Sequence, residues 1–379
     1  MLIAIVGGRL QGIEACYLAR KAGWRILLID RRPDVPARGL CDEFILTDVC
    51  TEKSLHCLFR KADLVLPTLE DRFAIECLSD YASKSGLPLA FDPKAYNISS
   101  SKTASDRLFA QLDLPVPTPW PKCGFPIIAK PDSGSGSRGV RIIKNETDIK
   151  ALAPDKASLD GWVVQEFLDG PLYSMEVLGI PGNYQPILAT DLFIDEGYDC
   201  MRVEAPSRLS NRLIDEFTEF SVRLAESLNL KGLMDVEAIL HNGKLKLIEI
   251  DARLPSQTPT AVYQSSGFNM LERLVEIFLG GYRPFVPVLP KKGVIYEHIR
   301  FKEGTLRCGG EHLMAEAGPV RQFENFFGAD EALSDYVTES SDWRATLIIT
   351  GYDLRDAWGK RCRVMETIGD LSLSRINSA

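Results

Sequence analysis

Met234-Asp235-Val236-Glu237-Ala238-Ile239 and Leu247-Ile248-Glu249-Ile250-Asp251-Ala252-Arg253 are two strand-like runs separated by His241-Asn242-Gly243-Lys244. Asn-Gly between such runs signals a hairpin, because the favoured two-residue turn needs positive φ at both central positions. The strand period of two puts Asp235 and Glu237 on one face, and likewise Glu249, Asp251 and Arg253. A hairpin can bring the two rows side by side. Four carboxylates in otherwise apolar strands repel one another unless positive charge sits among them. Hard divalent cations carrying substrate phosphates meet that need, and Arg253 can grip a carboxylate or phosphate with two prongs. A solvated charge ladder on an exposed sheet face is the plainer alternative, and the apolar context of both strands speaks against it.

Upstream, Ala129-Lys130-Pro131-Asp132-Ser133-Gly134-Ser135-Gly136-Ser137-Arg138-Gly139-Val140 sets a loop of small residues between two expected strands, Pro126–Lys130 and Val140–Lys144. Such a loop can fold over phosphates through its backbone N–H groups, with Lys130 as a fixed positive charge. It is not a Walker A loop, since GxxxxGK[ST] is absent. A flexible hairpin is the bland reading. Val163-Val164-Gln165-Glu166-Phe167-Leu168-Asp169-Gly170 reads as a strand that breaks at glycine, a hinge able to hold an adenine edge. By itself it could be any buried strand.

Residues 1–93 alternate strands (Leu2–Val6, Arg25–Asp30, Phe44–Thr47, Leu64–Pro67, Leu87–Phe91) with helical segments, which predicts a doubly wound parallel sheet. The turn Gly7-Gly8-Arg9-Leu10-Gln11-Gly12 with Asp30 at the end of the next strand imitates a dinucleotide fingerprint. Arg9, however, stands where the middle glycine must let the backbone approach a pyrophosphate. A ligand site of another kind, or a plain structural turn, is expected there. Further on, a helix runs through Leu112, four prolines in Leu114–Pro121 keep the chain extended, and strands dominate 171–255 around a helix over Asn211–Leu228. The last ~90 residues signal weakly, Ala345–Thr350 being a mixed strand-like run.

At 379 residues the chain fits two or three domains. No run approaches the ~20 apolar residues of a membrane span. Nine cysteines without a CxxC pair suit reduced thiols in a cytoplasmic protein, and four histidines show no ligand spacing. A net charge of -8 argues against nucleic acid as main partner, while a polyanion such as ATP could still bind through metal ions.

Lys130-Pro131 with its Ser/Gly loop, Val164–Leu168, and Glu237 with Glu249-Ile250-Asp251-Ala252-Arg253 resemble the ATP-grasp superfamily over roughly residues 1–285. The resemblance implies an α/β ATP-grasp fold: a doubly wound pre-ATP-grasp domain (1–93), a small lid (94–170) and a larger α+β C-terminal domain (171–379). It implies phosphate contacts from Lys102 and Lys130, with Arg9 joining the nucleotide contacts. Ser133, Ser135, Gly136 and Ser137 would form a mobile cover, and Gln165, Glu166, Phe167 and Leu168 would hold adenine. Glu237, Glu249 and Asp251 would bind two Mg2+ (Mn2+ substituting), with Lys130 and Arg253 catalytic and Arg253 steadying an acyl-phosphate. One departure is Leu172, where many relatives carry an acid for the ribose.

A narrower resemblance is to the ATP-grasp ligases of pyrrolysine biosynthesis. It rests on the glycine turn, Ile194–Cys200, Lys231–Ala238 and Ile248–Thr260 with its Pro255-Ser256-Gln257-Thr258-Pro259. It implies an amide bond between the carboxylate of 3-methyl-D-ornithine, or D-ornithine, and the ε-amine of L-lysine. Glu176 and Asp235 would pair the amines, and Ser256, Gln257 and Thr258 would hold the carboxyl end. Leu10, Gln11, Glu70 and Asp71 would receive lysine. Solvated surface roles are the alternative for these acids. A homodimer is compatible with this reading. Competing readings are another ATP-grasp carboxylate–amine ligase or carboxylase, a Rossmann-type dehydrogenase, and a nucleotide-binding regulatory module.

Overall fold

The computed structural model describes residues 1–51, 55–134, 136–152 and 159–376, with side chains to residue 370. It contains three sheets among these residues. The first is parallel, in the order Glu43–Leu46, Arg25–Asp30, Leu2–Val6, Leu64–Pro67. Its central strand is apolar and almost wholly buried, as a strand covered on both faces must be. The expected strand Leu87–Phe91 contributes only an isolated bridge, Val65 to Leu89. Strand order reverses at Leu2–Val6, whose neighbours lie on opposite sides, so a crevice opens beyond its carboxyl end. Gly7 lies there with φ of +110°, and a Cβ on it would stand 2.5 Å from the carbonyl oxygen of Thr68. No other residue fits that turn.

The second sheet is small and antiparallel, ordered Arg141–Ile143, Ile127–Pro131, Trp162–Glu166, over a core of Ile127, Ala129, Ile143 and Ile149. The helices Pro93–Ser99 and Lys102–Gln111 fall inside the segment expected to be lid. They pack elsewhere: Ala95, Leu108 and Phe109 join Phe217, Leu224, Val236 and Leu247 in the core of the large domain. Apolar stripes find the larger core, so the lid sheet is left with a short segment of the chain.

The third sheet runs Lys244–Asp251, Gly232–His241, Leu172–Ile180, Thr190–Ile194, Cys200–Ala205, Gly293–Lys302, Asp342–Gly351, Ala329–Ser334, Arg321–Phe326. Two short strands, Asn183–Pro186 and Thr305–Cys308, pair alongside. Helix Asn211–Leu228 covers its first half, with Leu213, Phe217, Phe220, Leu224 and Leu228 buried at the three- and four-residue spacing of one helical face. The weakly patterned last ~90 residues build five of the strands and the covering helix Leu354–Ile376. Their core stacks Phe301 on Trp343 at 5.4 Å, with Trp343 1% exposed.

The first domain is bolted to this large sheet. Ile13, Tyr17 and Leu18 share a core with Met270, Leu271 and Leu274, and Asn269 donates to the carbonyl of Leu18 at 2.9 Å. Tyr17 and Lys21 reach Glu331 at 2.9 and 2.6 Å. Two walls of the crevice are therefore held in fixed relation, and the small sheet is the third. Among the described residues no helix is long and apolar enough to cross a membrane.

Since the C-terminal strands continue the body's sheet and put Tyr296, Leu333 and Ile348 into the core shared with the first domain, Trp343→Ala in their other core is expected to destabilise the whole chain by about 3–5 kcal/mol. Denaturant unfolding checks this; a loss below 1 kcal/mol, or a separate early transition, would show a detachable C-terminal segment.

Candidate active site

The hairpin brings the predicted acids into register, Glu237 opposite Glu249 and Asp235 opposite Asp251. A bulge after Glu237 shifts the remaining pairing by one residue on the second strand. On its other side Asp235 faces Glu176 of Leu172–Ile180, and its Oδ1 accepts from the Ser174 hydroxyl at 2.5 Å. Burial, then crowding by like charges, works against ionisation here. Burial foremost pushes Glu237 well up, Asp251 to about 8 and Asp235 to about 6, although Ser174 and Arg253 favour the Asp235 carboxylate.

Positive charge inside the protein compensates only part of this. Lys102 Nζ lies 2.9 Å from Glu249, and Arg253 Nη2 lies 3.0 Å from Asp251 and 2.7 Å from Glu70. Burial drives the Lys130 ammonium down from its ordinary value, and no carboxylate forms an ion pair with it among the described residues. Arg253 Nε is buried without a partner. Glu237 makes no ion pair among the described residues, and no three acidic side chains already converge there as a ligand cluster. Hard oxygens with a charge deficit beside two lysines fit Mg2+, which takes one or two carboxylates and completes its shell with phosphate oxygens and water. Glu237, Glu249 and Asp251 could hold it.

Two cavities meet at these acids. One, of about 270 Å³, lies between the small sheet and the large one, walled by Lys102, Lys130, Gln165–Gly170, Ile239 and Ile248. Of the hinge residues, Gln165 is buried, and Glu166 is engaged with Lys246 Nζ at 2.6 Å and the Thr118 N–H at 3.1 Å. What the hinge offers a ligand is thus backbone: the Leu168 N–H has no protein partner among the described residues. The small-residue loop is laid down on the body. Lys102 Nζ donates to Gly134 O at 2.8 Å, Ser137 Oγ to Tyr198 O at 2.7 Å, and Arg138 lies 3.3 Å from His312, which pairs with Asp199. Gly136 and Ser137 line both cavities, Ser133 is exposed, and Ser135 lies outside the described residues.

The second cavity, about 440 Å³, extends from Glu237 and Glu249 to the glycine turn. Arg9, Leu10, Gln11 and Glu70 line it, and Gln11 and Arg253 converge on Glu70 Oε1, which ties the first domain to the hairpin. Arg9's guanidinium is lowered by burial and by Arg32 and Arg138, all at this end. Asp30 closes the turn itself, accepting from the Gly8 N–H at 2.7 Å. Asp71 lines the cavity but caps helix Arg72–Ser85 and meets Arg31, which leaves it a mainly structural part.

Three expectations are corrected. Glu176 is fully buried behind Asp235 and is not in the cavity wall; burial and Asp235 push it up to about 8. Ser256 and Gln257 are not free to hold a carboxylate, because Ser256 Oγ and Gln257 Nε2 donate to Glu311 Oε2 at 2.6 and 3.0 Å. Thr258 does line the cavity, its hydroxyl without a partner. Glu311 and His312 escape sequence reasoning: they come from a segment with no motif and reach the site only through the sheet's long-range pairing.

Paired acids, two half-buried lysines and a small-residue loop over them make a site suited to metal-bound phosphate. The ATP-grasp domain family matches residues 99–257. The 3-methyl-D-ornithine–L-lysine ligase of Methanosarcina barkeri (strain Fusaro / DSM 804) is 36% identical over 97% of this chain and 97% of its own. The ligase of the same name from Methanosarcina mazei is 36% identical over 95% of this chain and 93% of its own. The solved biotin carboxylase domain of Hydrogenobacter thermophilus 2-oxoglutarate carboxylase, in complex with MgADP, ADP and bicarbonate, shares the fold. Its TM-score is 0.75, at 15% identity over 96% of this chain and 89% of that one. The chain belongs to the ATP-grasp family, within its branch of 3-methyl-D-ornithine–L-lysine ligases. It is an ATP-dependent carbon–nitrogen ligase acting on small molecules, and enzymes of this family use ATP and Mg2+.

Lys130 is a half-buried cation without an ion-pair partner among the described residues, so Lys130→Met is expected to leave the ligand-free melting temperature unchanged or higher. The same variant should lose the upward shift that MgADP gives the native chain. A retained shift in thermal melts would show that Lys130 does not face the nucleotide.

Proposed function

We propose that this ligase joins the carboxylate of 3-methyl-D-ornithine, or of D-ornithine, to the ε-amine of L-lysine in pyrrolysine biosynthesis. The observation that carries the reading is 36% identity, spread over nearly the whole of both chains, to ligases named for that pair of substrates. The γ-phosphoryl group of ATP passes to the carboxylate, giving ADP and an acyl-phosphate. The ε-amine then attacks the acyl carbon, the C–N bond forms, inorganic phosphate leaves, and the nitrogen gives up a proton. No enzyme nucleophile is required; positioning and charge do the work.

Residue roles follow the geometry. Gln165, Glu166, Phe167 and Leu168 border the adenine end, with the Leu168 N–H as donor, and Ile239 and Ile248 form an apolar floor. Lys102 and Lys130 meet the phosphates, covered by Ser133, Gly136 and Ser137. Glu237, Glu249 and Asp251 would hold two Mg2+, for which Mn2+ could substitute. When bound, the ions neutralise charge on the transferring phosphoryl group. Arg253 is fixed by Glu70 and Asp251 and turns its unpartnered Nε to the acyl-phosphate. Asp235 faces an amine of the D-amino acid. Lysine lies between the glycine turn and the hairpin, beside Leu10, Gln11 and Glu70, whose Oε2 is free to take an ammonium. The lid excludes water that would hydrolyse the intermediate.

ADP release by the pure protein with Mg-ATP, D-ornithine and L-lysine, each omitted in turn, tests this. Release should need both amino acids and yield a conjugate lighter than their sum by one water. Release dependent on bicarbonate instead would make the protein a carboxylase. Excess EDTA should abolish turnover, and Glu237→Gln should lower kcat by about 100-fold or more.

A further inference from the structure

Gln257 stands at the start of helix Thr258–Ser266 with φ of +76°, a left-handed conformation that costs a residue with a Cβ about 1 kcal/mol or more. Such strain persists only where the surroundings over-determine it. Here the side chain is 4% exposed and lines the 440 Å³ cavity. Its amide nitrogen is directed to Glu311 Oε2 at 3.0 Å and to Cys200 O at 3.5 Å, and this leaves its Oε1 buried with no partner. An unpaired acceptor next to a carboxylate repels it, and both need a donor. Glu311 Oε2 is held twice, by Ser256 and Gln257, while Oε1 has no protein partner among the described residues. The charged groups facing Glu311 are already engaged, Arg253 with Glu70 and Asp251 and His312 with Asp199.

We infer that Glu311, with Gln257 Oε1, is a subsite for an alkylammonium group, the one at the far end of the side chain of the D-amino acid that is activated. The inference rests on the substrate reading above and adds a specificity-determining residue to it. A carboxylate and an amide oxygen side by side accept hydrogen bonds and offer none, so they suit an ammonium and reject a carboxylate or a methyl group. The location agrees. Phosphoryl transfer belongs at Glu237 and Glu249, where the two cavities join, and Glu311 lines only the larger one, beyond Arg253. A D-amino acid whose carboxylate lies at Arg253 therefore extends its side chain towards Glu311. Ser256 thereby acts through Glu311 as a positioning residue, while Gln257 both orients Glu311 and offers its Oε1 to the ammonium.

The test compares D-ornithine with D-2-aminopentanoate, which keeps the chain and lacks the terminal amine, in lysine-dependent ADP release. Native enzyme should prefer D-ornithine strongly. Glu311→Gln should cut kcat/KM for D-ornithine about 10- to 100-fold, mostly through KM, and leave D-2-aminopentanoate and the KM for ATP unchanged. Glu311→Asp should restore part of the preference. The MgADP-induced melting shift, retained in each variant, separates this from misfolding, and Glu311→Asp decides alone if Glu311→Gln does not fold. The inference is overturned if both substrates suffer equally in a variant that keeps the shift. It is also overturned if native enzyme uses the two D-amino acids equally well, a result that needs no variant. Absence of any D-ornithine-dependent ADP release by native enzyme would defeat the functional reading itself, a different outcome from native activity with an unaltered substrate ratio.

Discussion

Glu237 opposite Glu249 and Asp235 opposite Asp251 place four carboxylates on one face of a hairpin, Asp235 buried and the other three half-buried, where water screens them only in part. The protein tolerates this because the face is the floor of a cavity rather than part of a core, and because Lys102, Lys130 and Arg253 come in from separate elements. Lys102 arrives on a helix capped by Ser101, Lys130 on the lid sheet, and Arg253 at the end of the hairpin itself. The balance is incomplete by design of the site: Lys130 lacks an anion and Glu237 lacks a cation. An anion beside Lys130 and a cation beside Glu237 would relieve both, which is the charge pattern the proposed Mg-ATP site needs.

The same constraint explains the arrangement of the rigid and closing parts. The first domain shares a core with the body and pins Arg253 through Glu70, so that end of the larger cavity is fixed. The small sheet has a minor core of its own and meets the body through polar contacts, among them Glu166 with Lys246, Asp132 with Ser101 and Thr103, and Ser137 with Tyr198.

Legibility in the sequence tracked how local each interaction is. The hairpin, the parallel domain and helix Asn211–Leu228 were readable because period, turn chemistry and apolar spacing lie within a few residues of one another. The lid boundary was not, because helices Pro93–Ser99 and Lys102–Gln111 choose between two cores that are formed by distant residues. Nor was the C-terminal sheet, whose strands mix polar and apolar residues and become strands through pairing with partners far along the chain.

The sequence by itself determined the chemistry on offer: the acidic hairpin, the lysine before a Ser/Gly loop, and the hinge, since residue type and strand period set charge and facing direction. Tertiary structure alone decided which groups are free to act. It turned Ser256 and Gln257 away from substrate carboxylate and onto Glu311, set Glu176 behind Asp235, and engaged Asp71 and Asp30 in holding the backbone. The reason is physical: a hydrogen-bonding group is defined by the partner it already has, and these partners lie tens to hundreds of residues away in sequence or at a turn whose shape the sheet imposes.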